Sequence, residues 1–477
     1  MSIDPFISAT ALAARLHNRT LSPVEVAEFY LDRIDETNPA VNAIVWLDRD
    51  DVLRRARAAE KRLASGSPLS PFDGVPIPIK DLNSVAGQPN TASSLSLGEE
   101  PAPENDEAVE LLEQAGMVFL GRSNSPEFGA LTVSENKRHG KTRNPWNLDF
   151  TSGGSSGGAS AAVAAGMAPV ALASDGGGSI RVPSATTGLV GLKPSRGRVP
   201  GIRGWEHSTT DGAITRTVAD AAAMLDILGR QDLLSWYTAP QPARPYSVEV
   251  TLPAEPLRIG LLLTPPTGLP VDEQCVVAAE SLARALEAKG HTVVPVAPFL
   301  FSQQSIVGFV QTIISAWTSA SATGDNSLLD PYIGYRVRQA STFHAGEYAS
   351  IAAALQYESR RVVEQWGREF DVLLTPTMAV ETPRVGTVYD EANDFPDGPR
   401  ILEARMVSFT AWANIAGLPA ISLPVHQTKE GMPVGAQLIA GPYDEGLLLR
   451  LAASVEPEFA WHERRPPLAV ASLPGQG

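Results

Sequence analysis

An α/β architecture in one large domain is predicted by three features of the 477-residue chain. Leu257–Leu263, Asp272–Lys289 and His291–Val296 read as strand, helix and strand, a βαβ unit of the kind that builds parallel sheets. Short apolar runs suited to buried strands recur between helical segments, at Val75–Ile79, Met117–Leu120, Val170–Ala173, Val372–Leu374, Ala420–Pro424 and Val434–Ile439. No internal repeat and no clear interdomain linker interrupts them.

The elements follow in order. Residues 1–66 read as helices. Ser22-Pro23-Val24-Glu25 is a capping box with proline at the first helical position, and Val26, Phe29, Tyr30 and Ile34 follow at helical spacing. Asp48–Ala64 is a second, charge-rich helix that Gly66 ends. The Val75–Ile79 run delivers Lys80. Asp106–Ala115 reads as helix. The glycine- and serine-rich region 152–179 is more than a linker, because it contains a small-residue helix, Ala159–Ala165, as well as the Val170–Ala173 strand. Residues 238–256 are Pro-rich and suit a surface crossover. The helix of the βαβ unit carries Cys275, Ala279, Leu282 and Leu286 on one apolar face and is capped by Gly290. Residues 300–370 are mostly helical, and Glu445–Val455 closes the chain as a helix.

Composition narrows the function. The hydrophobic fraction is 43% and the charged fraction 19%, so the chain belongs among folded globular proteins. A formal charge of −15 with no basic cluster makes nucleic acid and anionic membranes poor partners. The lone cysteine, Cys275, permits no internal disulfide and is expected to be a packed thiol. The seven histidines, His139 and His207 among them, show no metal-ligand spacing, so no metal and no cofactor is expected. The first eighteen residues have an early acid and no apolar core of signal length. The stretch from Gly158 to Ala173 is too short to span a bilayer. A soluble, cytoplasmic protein is the expectation.

Three segments carry candidate chemistry. In Gly74-Val75-Pro76-Ile77-Pro78-Ile79-Lys80-Asp81 a lysine ends an apolar run. Burial disfavours the ammonium form and makes such a lysine a base near neutral pH. Ser152-Gly153-Gly154-Ser155-Ser156-Gly157-Gly158-Ala159 lacks the Gly-Lys-Ser/Thr of a phosphate loop and suits a tight backbone that presents a hydroxyl. In Ser174-Asp175-Gly176-Gly177-Gly178-Ser179-Ile180-Arg181, three glycines leave backbone N–H groups unshielded, fit to hold an oxyanion beside the serine that follows.

Together these segments resemble the amidase signature family, with its Lys-Asp segment, its GGSSGG and its GGS(I/V)R. The two serines stand 24 positions apart, the family spacing. Gly188–Gly197, Thr215–Asp220 and Gly417–Pro424 are similar to the family as well. The resemblance covers nearly the whole chain, 1–477, as one domain, with its signature core in 74–228. It implies an amidase signature fold, one large twisted mixed sheet covered by helices on both faces. It also implies a catalytic triad: Ser179 as nucleophile, Ser155 on a cis peptide bond as relay, and Lys80 as base. Backbone N–H groups of Gly176, Gly177, Gly178 and Ser179 would form the oxyanion hole, with Ser156, Asp175 and Arg181 in support. Gly176 departs from the family, which often has threonine, isoleucine or alanine there, but its N–H remains.

The implied reaction is hydrolysis of an amide-type C–N bond through an acyl-enzyme, with side activity on esters. Similarity to nylon-oligomer amidases, aryl-acylamidases and carbamate-cleaving relatives points to a small hydrophobic amide, anilide or carbamate, in a monomer or homodimer. The pocket is expected in 300–410, with Phe301, Phe309, Trp317, Tyr332, Phe343, Tyr348 and Trp412 as its aromatic candidates and core packing as the competing role. Two rivals stand beside this reading. One is the transamidating subunit of a tRNA amidotransferase, against which the acidity counts. The other is a catalytically dead binding protein, against which the complete triad counts.

Overall fold

In the computed structural model, which describes residues 3–201 and 207–468, the largest element is an eight-stranded mixed sheet. Its strands lie in the order Thr292–Pro295, Arg258–Leu261, Val372–Pro376, Pro433–Ala440, Ala420–Gln427, Val190–Lys193, Thr210–Thr215 and Val170–Asp175. Arg258–Leu261 runs parallel to both of its neighbours, as the βαβ reading requires, and the remaining pairings are antiparallel.

Alternate residues of the central strands bury on opposite faces. Ile421, Leu423, Val434, Ala436 and Leu438 join one core with Cys275, Ala279, Leu282 and Leu286 of the Glu273–Ala288 helix and with Leu448 of Glu445–Phe459. Ala420 and Ile439 pack on the other face with Phe309, Trp412 and Ile415. Helices therefore cover both faces, and the Val372–Pro376 and Pro433–Ala440 strands are buried throughout. Cys275 is a packed thiol, and burial pushes its pKa up. No helix among the described residues is long and apolar enough to cross a membrane.

A second, three-stranded sheet stands apart from the large one. Pro76–Lys80 pairs parallel with Val118–Ser123, and Ile44–Trp46 pairs antiparallel on the other side. Ile44–Trp46 corrects the all-helical reading of 1–66; its three residues are too few for a period to register. The capping box forms as expected at the head of Pro23–Val41. Val24 N–H donates to Ser22 Oγ at 3.0 Å, and Ser22 N–H donates to Glu25 Oε2 at 3.1 Å. Two strands of the large sheet, Val190–Lys193 and Thr210–Thr215, lie outside the predicted strands. The mostly exposed segment 238–256 carries the chain from one end of the large sheet to the other.

Candidate active site

The small sheet packs its buried Pro76–Lys80 strand against the Val170–Asp175 edge of the large one. That junction brings Lys80 to the two serine segments. Lys80 is fully buried, and its Nζ lies 2.7 Å from Ser155 Oγ, 2.8 Å from Ser156 Oγ and 3.0 Å from Ser174 Oγ. Burial lowers the lysine pKa to about 7, while the carboxylates of Asp211 and Asp175 oppose the fall. Desolvation alone drives the fall; the nearby Arg181 guanidinium is engaged by Asp175. Asp211, itself raised to about 7 by burial, sits opposite Ser174 in the strand register and takes two long hydrogen bonds from Asn83 at 3.4 Å.

Ser155 follows a cis Gly154–Ser155 peptide bond, and Ser156 leads directly into the Gly157–Ala164 helix. Every residue of that helix is buried, which explains its small side chains: a Cβ on Gly158 would stand 2.3 Å from the Asn124 amide nitrogen. Ser156 N–H donates to the Ser179 carbonyl at 3.3 Å, tying the two serine segments together. Ser134 Oγ donates to the Ser155 carbonyl at 2.9 Å.

Ser179 is half-buried in the turn between the Val170–Asp175 strand and the Arg181–Thr187 helix. Asp175 organises the turn. Its carboxylate accepts from the N–H of Gly178 at 2.6 Å and of Ile180 at 3.1 Å, from Arg181 Nε and Nη2 at 3.0 Å, and from Asn414 Nδ2 at 2.9 Å. Burial alone would raise the Asp175 pKa, but Arg181, Lys193 and these donors hold it well below the usual carboxylate range. Arg181 continues outward to the Thr410 carbonyl at 3.1 Å, Gln437 Oε1 at 3.0 Å and Asn414 Oδ1 at 2.6 Å.

One expectation changes here. The Gly178 N–H is committed to Asp175, so it is not a free oxyanion donor. Among the described residues, the N–H groups of Gly176, Gly177 and Ser179 have no such partner. Gly178 instead serves the backbone: its φ is +140°, and a Cβ there would stand 2.4 Å from Thr410 Oγ1, which donates to the Gly177 carbonyl at 2.7 Å. Gly178→Ala should therefore destabilise the fold by about 1–3 kcal/mol and slow acylation. Urea titration and the rate of fluorophosphonate labelling would check this. Wild-type behaviour in both would mean that the turn tolerates the methyl group.

Ser155, Ser174, Gly176, Gly177 and Ser179 open on one cavity of about 630 Å³. Of the seven aromatic candidates, Phe309, Trp317, Tyr332 and Trp412 line it. Phe301 packs into the core beneath, Tyr348 lies against that core, and Phe343 lines no part of the cavity. Sequence reasoning missed Ser174, Asp211, Thr410, Asn414 and Gln437. Ser174 opens the glycine-rich segment that ends in Arg181; the others lie further along the chain and carry no local signature. No group of three or more His, Cys, Asp or Glu among the described residues is arranged to hold a metal.

The Amidase family model matches residues 25–449. The 6-aminohexanoate-cyclic-dimer hydrolase of Pseudomonas sp. (strain NK87) is 34% identical over 98% of this chain and 97% of its own length. The acylamidase of Rhodococcus erythropolis is 34% identical over 97% of each chain. A solved structure of a 6-aminohexanoate cyclic dimer hydrolase complexed with substrate matches with a TM-score of 0.91 at 31% identity, covering 98% of this chain and 100% of the other. A bacterial aryl acylamidase of the amidase signature family matches at 0.87 and 27% identity, covering 96% and 97%.

Proposed function

The chain belongs to the amidase signature family, and from that premise we propose that it hydrolyses amide-type C–N bonds with Ser179, Ser155 and Lys80. It is an amidase, acting on C–N bonds other than peptide bonds. The observation that carries the triad is the 2.7 Å approach of a fully buried Lys80 amine to Ser155 Oγ. A lysine held near pKa 7 is neutral often enough at physiological pH to accept a proton.

Ser179 Oγ attacks the substrate carbonyl carbon while its proton passes through the Ser155 hydroxyl to Lys80 Nζ. The N–H groups of Gly176, Gly177 and Ser179 receive the oxyanion. As the tetrahedral adduct collapses, the C–N bond breaks. The proton returns from Lys80 through Ser155 to the leaving nitrogen, and an ester to Ser179 remains. Water, deprotonated by the same relay, then attacks that ester and releases the acid.

The aromatic lining supports a hydrophobic amide, anilide or carbamate as substrate, with activated esters as a side activity. The test is a panel of p-nitroanilides, aryl carbamates and p-nitrophenyl esters run beside fluorophosphonate labelling. Labelling at Ser179 with turnover of at least one class is the expected result. Absence of both would make the chain a binding protein on this scaffold.

A further inference from the structure

We propose that the cavity recognises a carboxylate at the end of the substrate remote from the scissile bond, through Arg336 and Arg400; the idea rests on the amidase reading above. Both guanidinium groups line the same cavity as Ser179. Arg336 is 3% exposed, yet every partner it has is neutral. Its Nε donates to Tyr332 Oη at 2.7 Å, and its Nη1 donates to the Val310 carbonyl at 2.9 Å, Ser315 Oγ at 3.0 Å and Gln339 Oε1 at 3.4 Å. Arg400 lies over the same Tyr332 ring, 4.4 Å from its centroid, and is paired with Glu403 at 2.6 Å.

The buried Arg336 and the half-buried Arg400 therefore have one paired carboxylate between them, Glu403. Tyr332 does not supply the missing charge, because burial pushes its pKa up and keeps the phenol protonated. Asp330, next to the helix that carries Arg336, is occupied by Lys137 at 3.6 Å and by the Tyr389 hydroxyl at 2.9 Å. Glu104 and Asp106 also line the cavity, but among the described residues no ion pair joins either of them to Arg336 or Arg400. A buried guanidinium with only neutral partners is costly unless an anion completes it, and a guanidinium fork fits a carboxylate best. Arg400 caps the Ile401–Val407 helix, whose far end leads to Thr410 and the Gly177 carbonyl. Seven residues at about 1.5 Å each set the cationic end on the order of 10 Å from the oxyanion side. The substrate class is thus a medium-chain amide with a terminal carboxylate.

The experiment compares kcat/KM for matched pairs. On the acyl side these are the mono-p-nitroanilide of adipic acid and hexanoyl p-nitroanilide. On the leaving-group side they are N-hexanoyl-6-aminohexanoate and N-hexyl hexanamide. One of the two sides should favour the acid about 10- to 100-fold, and the side that does so locates the carboxylate. Arg336→Gln should bring that ratio to about one. Because Arg336 also ties Val310 and Ser315 in place, Glu403→Gln provides a second test: removing the competing carboxylate should raise the ratio. A wild type that cleaves the neutral members with no preference on either side, or an unchanged ratio in Glu403→Gln, would overturn the proposal. If neither member of either pair is cleaved and fluorophosphonate labels nothing, the amidase reading falls, and this one with it.

Discussion

Ser179→Ala should lower kcat/KM by about four to six orders of magnitude while the protein stays folded. Triad members act as a unit, so loss of the nucleophile removes nearly all the catalysis they provide together. The structural cost is small. Ser179 is half-buried, and no hydrogen bond of its side chain holds the turn, which Asp175, Arg181 and Thr410 secure. The unfolding free energy should therefore move by less than about 0.5 kcal/mol. Intact-protein mass spectrometry after fluorophosphonate treatment gives the second readout: wild type gains one adduct, and Ser179→Ala gains none. An alanine variant that still hydrolyses amides, or still forms an adduct, would transfer the nucleophile's role to another residue.

Lys80 provides the other large effect, with a sign that can be worked out. Its pKa is lowered to about 7 by burial, and in the proposed mechanism the neutral amine is the active form. Activity on an amide should rise with pH through about 7 and then hold a plateau. An ordinary lysine, titrating near ~10.4, would be neutral in fewer than about one molecule in a thousand at pH 7. Lys80→Ala should lose about three to five orders of magnitude together with the pH-dependent limb. Lys80→Arg should fail to restore it, since a guanidinium stays protonated. Stability follows the same linkage. Between about pH 7 and ~10.4 the unfolded chain holds a proton on Lys80 that the folded chain lacks, so this group's contribution to stability rises with pH across that window. Near-wild-type amidase activity in Lys80→Arg with an unchanged profile would exclude Lys80 as the base.

The parts of the fold legible in the sequence were those with strong local chemistry. The Ser22 capping box and the Glu273–Ala288 helix declare themselves through caps and periodic apolar faces. Val190–Lys193 and Thr210–Thr215 do not. The first has four residues, and the second, Thr-Asp-Gly-Ala-Ile-Thr, is polar at half its positions yet buried along its whole length. Their place in the sheet comes from neighbours on either side, which no window of sequence contains. The site divides the same way. Lys80, Ser155 and Ser179 sit in segments whose glycines and spacing are conspicuous. Asn414 and Gln437, which brace Asp175 and Arg181, are ordinary polar residues of a helix and a strand until the fold aims them. The Gly178 N–H looked free in the sequence because its acceptor, three residues earlier, reaches it only through the bend of the turn.

The bracing of Arg181 by Asn414 and Gln437 bears on when a newly made molecule becomes reactive. Synthesis adds on the order of 5–20 residues per second, and chains begin to fold from their N-terminal parts. Lys80, Ser155 and Ser179 all leave the ribosome early, but the groups that hold Arg181 and Asp175 in register follow more than 200 residues later. On the proposed mechanism, a nascent chain would carry its reactive groups without the scaffold that aligns them. Its hydrolytic power would then arrive only near the end of translation, when the Pro433–Ala440 strand closes the centre of the sheet.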